Sequence, residues 1–169
     1  VARFGGLLEA VQAGGIRFLS LADVAMDPGY FRQLYEANFR AVADDPGSTG
    51  DYVSFDDFQQ ILLGASWFDP GGQIMAIDAA NGAVIGLAAV GFFQHTNRAY
   101  NMITGVDRAY RGRKIAQALK LLTIRYAKER GFDSIVTNND SQNGPMLAIN
   151  RRLGYVARPG IYRLARALA

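Results

Sequence analysis

The pattern of apolar and polar positions changes along this chain at about residue 107. Up to that point, apolar residues alternate with polar ones or form short apolar runs, as they do in β-strands. The predicted strands of this part are Ile16–Leu21, Gln73–Asp78, Val84–Phe93 and Ala99–Val106. Asn81 and Gly82 separate the second strand from the third, and this dipeptide favours a tight hairpin between antiparallel strands.

Helices interrupt these strands. The predicted helices are Leu7–Gln12, a segment from Pro28 to about Ala43, and a segment from Ser54 to about Leu63. Asp27 supplies a capping carboxylate to the second of them, and Pro28 suits its first turn. Residues 44–50 are rich in Asp, Pro, Gly and Ser, which predicts a loop between the two longer helices.

After residue 107 the pattern becomes that of alternating helices and strands. Apolar residues at 115, 118, 119, 122 and 126 follow a helical period, so a helix is predicted over Ile115–Arg130 and ends at Gly131. The elements that follow are a strand Ser134–Thr137, a polar loop Asn138–Pro145, a helix Met146–Leu153 and strand material over Tyr155–Leu164. The order of elements predicts an α/β fold with a mixed, predominantly antiparallel sheet flanked by helices, as a single domain over residues 1–169.

Composition narrows the classes of protein that the chain represents. Half of its 169 residues are hydrophobic and 20% are charged, which is enough to build a core. The chain has no cysteine and one histidine, His95, so disulfides, a cysteine nucleophile and a multi-histidine metal site are excluded, and no metal is expected. The apolar run Gly82–Phe93 is shorter than the roughly 20 residues that cross a bilayer. The N-terminal residues lack the pattern of a signal peptide, so a cytoplasmic location without membrane contact is expected.

The formal net charge of +3 conceals an uneven distribution. Residues 1–106 carry eleven acidic and five basic side chains, whereas residues 107–169 carry thirteen basic and four acidic ones. This division predicts that the second half binds an anion and that the first half favours a cation; arginine-rich solvated helix faces are the alternative. Nucleic acid is not expected as the anion, because aromatic residues are not interleaved with the basic cluster.

The strand that ends at Val106 runs through a short basic turn directly into the helix at Ile115. The first N–H groups of a helix have no intrahelical partners, and together with the helix dipole they attract anions, including diphosphates. Gly112 permits close approach of the backbone, and the cationic side chains around it add charge. A diphosphate site is therefore predicted at this turn.

Two motifs resemble those of a known superfamily. Arg111-Gly112-Arg113-Lys114-Ile115-Ala116 resembles the Arg/Gln-x-x-Gly-x-Gly/Ala motif with which GNAT-type N-acetyltransferases cradle the pyrophosphate of acetyl-CoA. Lys114 stands where glycine is usual, and a helical backbone angle is expected to accommodate it. The second signature of the superfamily resembles Thr137-x-Asn139-x-x-x-Asn143-x-x-Met146-Leu147-x-Ile149-Asn150-x-x-Leu153-Gly154-Tyr155. The resemblance is greatest to the mycothiol synthase-like and tandem-domain branch.

The resemblance implies three parts: an N-terminal helical extension (1–15), an acceptor side with central strands (16–106) and an acetyl-CoA-binding half (107–169). The amides of 111–116 would hold the diphosphate, the backbone of 104–106 would pair with the pantetheine arm, and Asn143 would bind that arm from the other side. A splay between the strands at 99–106 and 134–137 would form the slot. The implied acetyl-CoA-binding residues are Thr104, Gly105, Val106, Arg111, Gly112, Arg113, Lys114, Ile115, Ala116, Asn139, Asn143 and Met146.

The resemblance also implies direct attack of an amine on the thioester. The backbone N–H of Thr104 is the candidate donor to the developing oxyanion. Many relatives carry a tyrosine acid where this chain has Asn150, and asparagine cannot give up a proton near pH 7. Protonation of the leaving thiolate is therefore assigned either to water or to another group such as Tyr155 or Tyr162.

A general base is harder to find in the motifs. His95 is the one side chain whose ordinary pKa suits the task, with a surface position as the alternative. Tyr100, on the strand before the first motif, is a candidate catalytic residue or a packed, substrate-contacting aromatic. Asn139 and Asn143 are either ligand contacts or caps and turn formers, and Asn150 is either a catalytic residue that donates a hydrogen bond or a structural one.

The predicted function is transfer of an acetyl group from acetyl-CoA to a primary amine of a small cationic molecule. The cationic acceptor follows from acidic residues around the first loop and the helix after it: Asp44, Asp45, Asp51, Asp56 and Asp57. The alternatives are a non-catalytic acyl-CoA-binding module of a tandem-domain protein, and an acetyltransferase for protein lysines or N-termini. Acetyl-CoA and a small-molecule amine are the expected partners, and a homodimer remains an open alternative.

Overall fold

A computed structural model describes residues 4–160 of the chain. Its strands form one five-stranded sheet in which spatial order follows chain order. They are β1 (Ile16–Ser20), β2 (Gln73–Asp78), β3 (Val84–Phe93), β4 (Arg98–Val106) and β5 (Ser134–Val136). The first three pairings are antiparallel and the β4–β5 pairing is parallel, which confirms the predicted fold class.

Five α-helices surround the sheet within the described residues. They are α1 (Leu7–Ala13), α2 (Pro28–Ala43), α3 (Phe55–Gly64), α4 (Ile115–Glu129) and α5 (Gly144–Leu153). The predicted caps are present: Asp27 Oδ1 accepts from the Gly29 N–H at 2.9 Å, and Ser54 Oγ accepts from the Asp57 N–H at 3.2 Å. Side-chain caps of this kind satisfy N–H groups that the first turn leaves without partners, so they fix where the helices begin.

Each face of the sheet carries its own apolar cluster because successive strand residues point to opposite sides. On one side Ile74 and Ala88 pack with Ile115 and Leu119 of α4. On the other side Met75 and Leu87 belong to the cluster of α2 and α3. Burial of each large apolar side chain contributes about 1.5–3 kcal/mol, so the two clusters hold the helices on their faces.

The positions of the last predicted elements differ in part from the sequence analysis. Helix α5 begins at Gly144, two residues before the predicted start, because Asn143 caps it and Pro145 fits its first turn. The strand predicted over Tyr155–Leu164 is absent from residues 155–160, and its remainder, with Tyr162, lies outside the described residues. No helix within residues 4–160 is long and apolar enough to cross a membrane.

Two irregularities in β4 open the sheet at one end. Ile103 pairs with Ala89 and Asn101 with Val90, so Met102 is an extra residue, a bulge, in β4. The pairing with β5 ends at Tyr100, after three residue pairs. Beyond that point, β4 and the segment after β5 are unpaired, and a cavity lies between residues 102–106 and residues 137–139, in agreement with the predicted splay.

Candidate active site

A cleft of about 790 Å³ occupies the gap beside β4. Four segments line most of it: residues 41–48, the second half of β4, the turn into α4, and residues 137–146 before and within α5. The predicted acetyl-CoA-binding residues among its lining are Thr104, Gly105, Val106, Arg111, Gly112, Lys114, Ile115, Ala116, Asn139, Asn143 and Met146. The chain segments of both motifs therefore meet at one cavity.

The exposed edge of β4 directs backbone N–H groups into this cleft. The Asp107 N–H donates to the Ile85 carbonyl at 2.8 Å, on the β3 side. Since N–H groups alternate in direction along a strand, those of Val106 and Thr104 point away from β3 and into the gap. The Thr104 hydroxyl oxygen is buried and has no hydrogen-bond partner among the described residues. This edge thus offers polar groups that a ligand can satisfy.

Gly105 occupies the same edge for a different reason. A Cβ at this position would lie 2.3 Å from the Cβ of Ala41 on α2. Only glycine therefore allows α2 to pack this closely against β4. Its backbone lines the cleft, while its missing side chain sets the distance to the helix behind it.

The turn into α4 contains two left-handed residues, Gly112 (φ 80°) and Lys114 (φ 62°). The expected helical angle at Lys114 is therefore wrong: the residue lies at the N-cap of α4, in the conformation that glycine favours. Successive N–H groups in such a turn can converge on one point, as in anion-binding nests. The usual glycine of the motif is thus replaced by a lysine at an energetic cost to the backbone.

Arginines of this turn form ion pairs across the cleft with Asp44. Arg111 contacts Asp44 through Nη2 and donates from Nε to the Val106 carbonyl at 3.0 Å. Arg108 donates from Nε to Asp44 Oδ1 at 3.0 Å. The hydrogen bond from Arg108, assisted by Arg111, lowers the pKa of Asp44 below its usual value. The acidic side of the cleft is therefore partly neutralised by the basic side.

The side chain of Arg113 is turned away from the cleft. Its Nη2 donates to the Gly14 carbonyl at 2.6 Å, and its guanidinium lies 5.5 Å from the centroid of the Tyr110 ring. Arg113 therefore ties the end of α1 to the turn, because the last carbonyls of a helix lack intrahelical partners. Among its groups, only the backbone remains a candidate for ligand contact.

The asparagines of the second motif have mixed roles. Asn143 lines the cleft and also caps α5, since its Oδ1 accepts from the Met146 N–H at 3.2 Å. Asn150 is buried and does not line the cleft; its Nδ2 donates to Asn139 Oδ1 at 2.6 Å. Asn150 thus holds the loop before α5 in place, which matches the structural alternative for this residue.

The structure separates His95 and Tyr100 from the cleft. His95 is exposed in the turn that precedes β4, whereas Thr104 lies toward the other end of that strand. At a rise of about 3.3 Å per residue along the strand, His95 and Thr104 are on the order of 20 Å or more apart. This distance is too long for His95 to exchange a proton with a group that is bound beside Thr104. Tyr100 lies in the paired part of β4 and packs edge-on against Phe93.

Sequence reasoning missed Lys120, which lines the cleft from α4. Its side chain is 1% exposed and donates a hydrogen bond to the buried Asn101 Oδ1. Burial lowers the pKa of Lys120 to about 8. The available signal was a lysine enclosed by apolar residues in Ala118-Leu119-Lys120-Leu121-Leu122, on a helix whose apolar stripe faces the sheet.

The fold and the cleft define an α/β protein with a turn of left-handed residues at a helix N-terminus beside a split sheet. A model described as the acetyltransferase (GNAT) family matches residues 29–155. The chain belongs to this family, which confirms the resemblance found in the two motifs.

Curated relatives in this family include mycothiol acetyltransferases. That of Thermobifida fusca (strain YX) is 27% identical over 133 residues, which cover 73% of this chain and 40% of the relative. That of Mycobacterium sp. (strain JLS) is 27% identical over 153 residues, 85% of this chain and 46% of the relative. The chain therefore spans less than half the length of these relatives.

Solved structures show the same fold at lower identity. An aminoglycoside acetyltransferase from an uncultured soil metagenomic sample, in complex with sisomicin, superposes with a TM-score of 0.64 at 19% identity, covering 91% of this chain and 95% of the other. The NatC complex bound to Gag peptide and CoA gives a TM-score of 0.68 at 21% identity, covering 85% and 86%.

Proposed function

We propose that this chain transfers an acetyl group from acetyl-CoA to a primary amine of a small molecule. The observation that carries this proposal is the convergence of two backbone features in one cleft: the free edge of β4 at residues 102–106 and the open N-terminus of α4. An extended arm with amide groups suits the first, and a diphosphate suits the second. Acetyl-CoA carries both groups in one molecule.

The residues present fit such a ligand. The first N–H groups of α4, from Ile115 onward, and that of Gly112 would bind the diphosphate, with charge added by Arg111 and Lys114. The N–H groups along the β4 edge and the buried Thr104 hydroxyl would satisfy the pantetheine arm, with Asn143 on the opposite wall. Acetyl-CoA supplies the activated acyl group, and the chain supplies its orientation.

The chain's contribution to the chemistry begins with placement. The Thr104 N–H is a fixed dipole directed into the gap, suited to stabilising negative charge that develops on a carbonyl oxygen. Holding an amine beside the thioester contributes further, since proximity and orientation offset about 7–11 kcal/mol of a bimolecular barrier. No acid or base is required of His95, Tyr100 or Asn150 in this proposal.

A cationic amine is the acceptor class that the charges favour. Of the five acidic residues singled out in the sequence, Asp44 and Asp45 line the cleft, and Asp44 is engaged by two arginines. Asp45 is therefore the carboxylate of this group that lines the cleft without an arginine partner among the described residues and can attract a cationic acceptor. The expected result in a panel of amines is preference for polycationic over anionic acceptors, measured as thiol release from acetyl-CoA; preference for anionic acceptors contradicts this assignment.

Calorimetric titration with CoA tests the site directly, using two glycine variants. Gly112 and Gly131 both have φ near 80°, and at both positions the Cβ of an alanine would lie in open space. Gly112→Ala and Gly131→Ala therefore impose a similar backbone strain of about 1 kcal/mol. Gly112 lines the cleft, whereas Gly131 lies at the far end of α4. Affinity for CoA is expected to fall about tenfold in Gly112→Ala, equivalent to about 1.4 kcal/mol, and to be unchanged in Gly131→Ala.

The outcomes separate the candidate functions. Equal affinities in both variants, with both folded by circular dichroism, would place the ligand elsewhere. Binding of CoA without thiol release from acetyl-CoA for any amine would indicate a binding module. Release with peptides bearing free N-termini or lysines, and with none of the small amines, would indicate a protein acetyltransferase.

A further inference from the structure

Lys120 lies at the closed end of the gap between β4 and β5. The hydroxyl of Thr137, just after β5, donates to the Asn101 carbonyl at 3.1 Å, which is where the two strands begin to diverge. Lys120 Nζ reaches the same residue from α4 and donates to Asn101 Oδ1. The amide of Asn101 is held in this orientation because its Nδ2 donates to the Ala89 carbonyl at 3.0 Å.

The ammonium group of Lys120 has no carboxylate partner within the described part of the chain. Around it, β4 presents the amide of Asn101, and the segment after α5 presents the ring of Tyr155, whose centroid lies 5.1 Å from Nζ. Neither β3 nor β5 contains a charged residue. Helix α5 carries Arg151 and Arg152, yet burial alone accounts for the lowered pKa of Lys120.

A buried charge without a counter-ion costs stability, and groups that carry such a cost are concentrated at functional sites. Lys120 also lines the cleft, and its partner Asn101 lies three residues along β4 from Thr104, whose N–H points into the same gap. An ammonium at this place is available to a ligand whose reacting end reaches the closed end of the gap.

The other candidates for proton transfer are less suited. Asn150 has no proton to give and is engaged by Asn139. The Tyr155 hydroxyl is buried without a described partner, and burial raises its pKa, so it holds its proton more tightly than an exposed tyrosine. Lys120 lines the cleft, and its pKa of about 8 allows its ammonium to lose a proton near neutral pH.

We propose that Lys120 supplies the proton to the leaving sulfur of acetyl-CoA, a role that rests on the acetyl transfer proposed above. The amide C–N bond forms as the thioester C–S bond breaks, and the electron pair of the C–S bond stays on sulfur. Sulfur takes a proton from Lys120 Nζ, and the proton that the amine nitrogen loses returns to Nζ. The products are the acetylated amine and CoA thiol, and Lys120 ends in its starting form.

The test uses CoA as the probe and requires no turnover. A cation next to a thiol favours the thiolate, so the thiol of bound CoA is expected to ionise at a pH at least about one unit lower in the wild type than in Lys120→Met. Thiolate absorbance in the ultraviolet, followed against pH at saturating protein, measures this shift. Lys120→Arg keeps the positive charge and is expected to retain the low thiol pKa, which separates loss of the charge from other effects of the substitution. If Lys120→Met fails to fold, the kinetic comparison of Lys120→Arg with the wild type given below still tests the role.

Lys128→Met is the matched control, because Lys128 is an exposed lysine on the same helix outside the cleft. It is expected to leave the thiol pKa unchanged. The same thiol pKa for CoA bound to the wild type, Lys120→Met and Lys120→Arg would overturn the role of Lys120 while leaving the acetyl-CoA site intact. Absence of CoA binding to the wild type would instead overturn the proposed function and this role together.

A kinetic arm uses the amine with the highest turnover in the panel. The wild-type kcat is expected to fall above pH 8, since the acid must be protonated. In Lys120→Met and Lys120→Arg, kcat is expected to be lower by about 10²–10⁴-fold, the usual contribution of a general acid. The decrease of kcat above pH 8 is expected to be absent from these variants. Variants that keep both the wild-type kcat and its decrease above pH 8 contradict the proposal.

Discussion

The two ends of the cleft are built in different ways. The turn into α4 consists of backbone groups from one continuous stretch, residues 111–116, with left-handed angles at Gly112 and Lys114. The closed end consists of side chains from three separate elements: Lys120 from α4, Asn101 from β4 and Tyr155 after α5. A site made from contiguous backbone is recognisable as a motif, whereas a site assembled from distant side chains depends on tertiary packing.

Among the effects on stability and on CoA affinity, the largest is expected at the closed end and is a change of stability with pH. The pKa of Lys120 is about 8 in the folded chain, against 10.5 for an ordinary lysine. The unfolded state therefore binds more protons between these two values, and wild-type stability rises with pH across that window. Below pH 8 the shift costs the folded state about 3 kcal/mol.

Lys120→Met removes this cost. Its free energy of unfolding relative to the wild type is expected to be highest below pH 8 and to decline by about 3 kcal/mol as the pH approaches 10.5. Lys120→Met also removes the hydrogen-bond donor to the Asn101 side chain, which lowers the free energy of unfolding by about 1–3 kcal/mol at every pH. Urea unfolding at several pH values measures it, and Lys128→Met should show no such trend; a pH-independent difference for Lys120→Met would mean that the buried ammonium is solvated.

The sequence predicted the turn and the sheet for physical reasons. Strand alternation, the Asn81-Gly82 hairpin and the caps at Asp27 and Ser54 are local signals, and the structure contains all of these elements. The helix start at Ile115 follows from the same kind of signal. Local chemistry therefore predicted most of the architecture, whereas the gap beside β4 was implied by the family resemblance.

The closed end was not predicted, because its side chains are brought together by packing. His95 is near β4 in sequence, but it lies at the wrong end of that strand. Lys120 looked like one basic residue among many, because its burial depends on contacts with Asn101 and Tyr155. The backbone angle of Lys114 was also missed, since a lysine by itself does not signal a left-handed residue.

A smaller effect is expected at Lys114, where backbone and charge can be separated. Lys114→Gly and Lys114→Ala both remove the positive charge, so the affinity for CoA is expected to fall alike, by up to about fivefold. Glycine accepts φ 62° without a Cβ penalty, so Lys114→Gly is expected to be about 1 kcal/mol more stable than Lys114→Ala. Thermal unfolding and calorimetry measure the two quantities, and equal stability of the two variants would contradict the left-handed angle.

The smallest effect tests whether the turn acts independently of the acceptor side. Asp44 pairs with Arg108 and Arg111, whose side chains are 77% and 50% exposed, so Asp44→Asn should lose less than about 1 kcal/mol of stability at pH 7. The pKa of Asp44 is lowered chiefly by its hydrogen bond with Arg108. The contribution of this pair is therefore present above the ordinary carboxyl pKa of 3.8 and is lost as the pH falls through the lower folded value.

Asp44→Asn is expected to lower stability slightly but to raise the affinity for CoA. Asp44→Asn releases Arg111 and removes a negative charge from the cleft, so CoA affinity is expected to rise a few-fold at low salt and to approach the wild-type value at high salt. Asp56→Asn is the control, because Asp56 is exposed in the first turn of α3 and does not line the cleft. If CoA affinity falls instead, Asp44 orients Arg111 for the ligand rather than competing with it. The turn would then depend on a distant side chain, as the closed end does, and the contrast between the two ends would be one of degree.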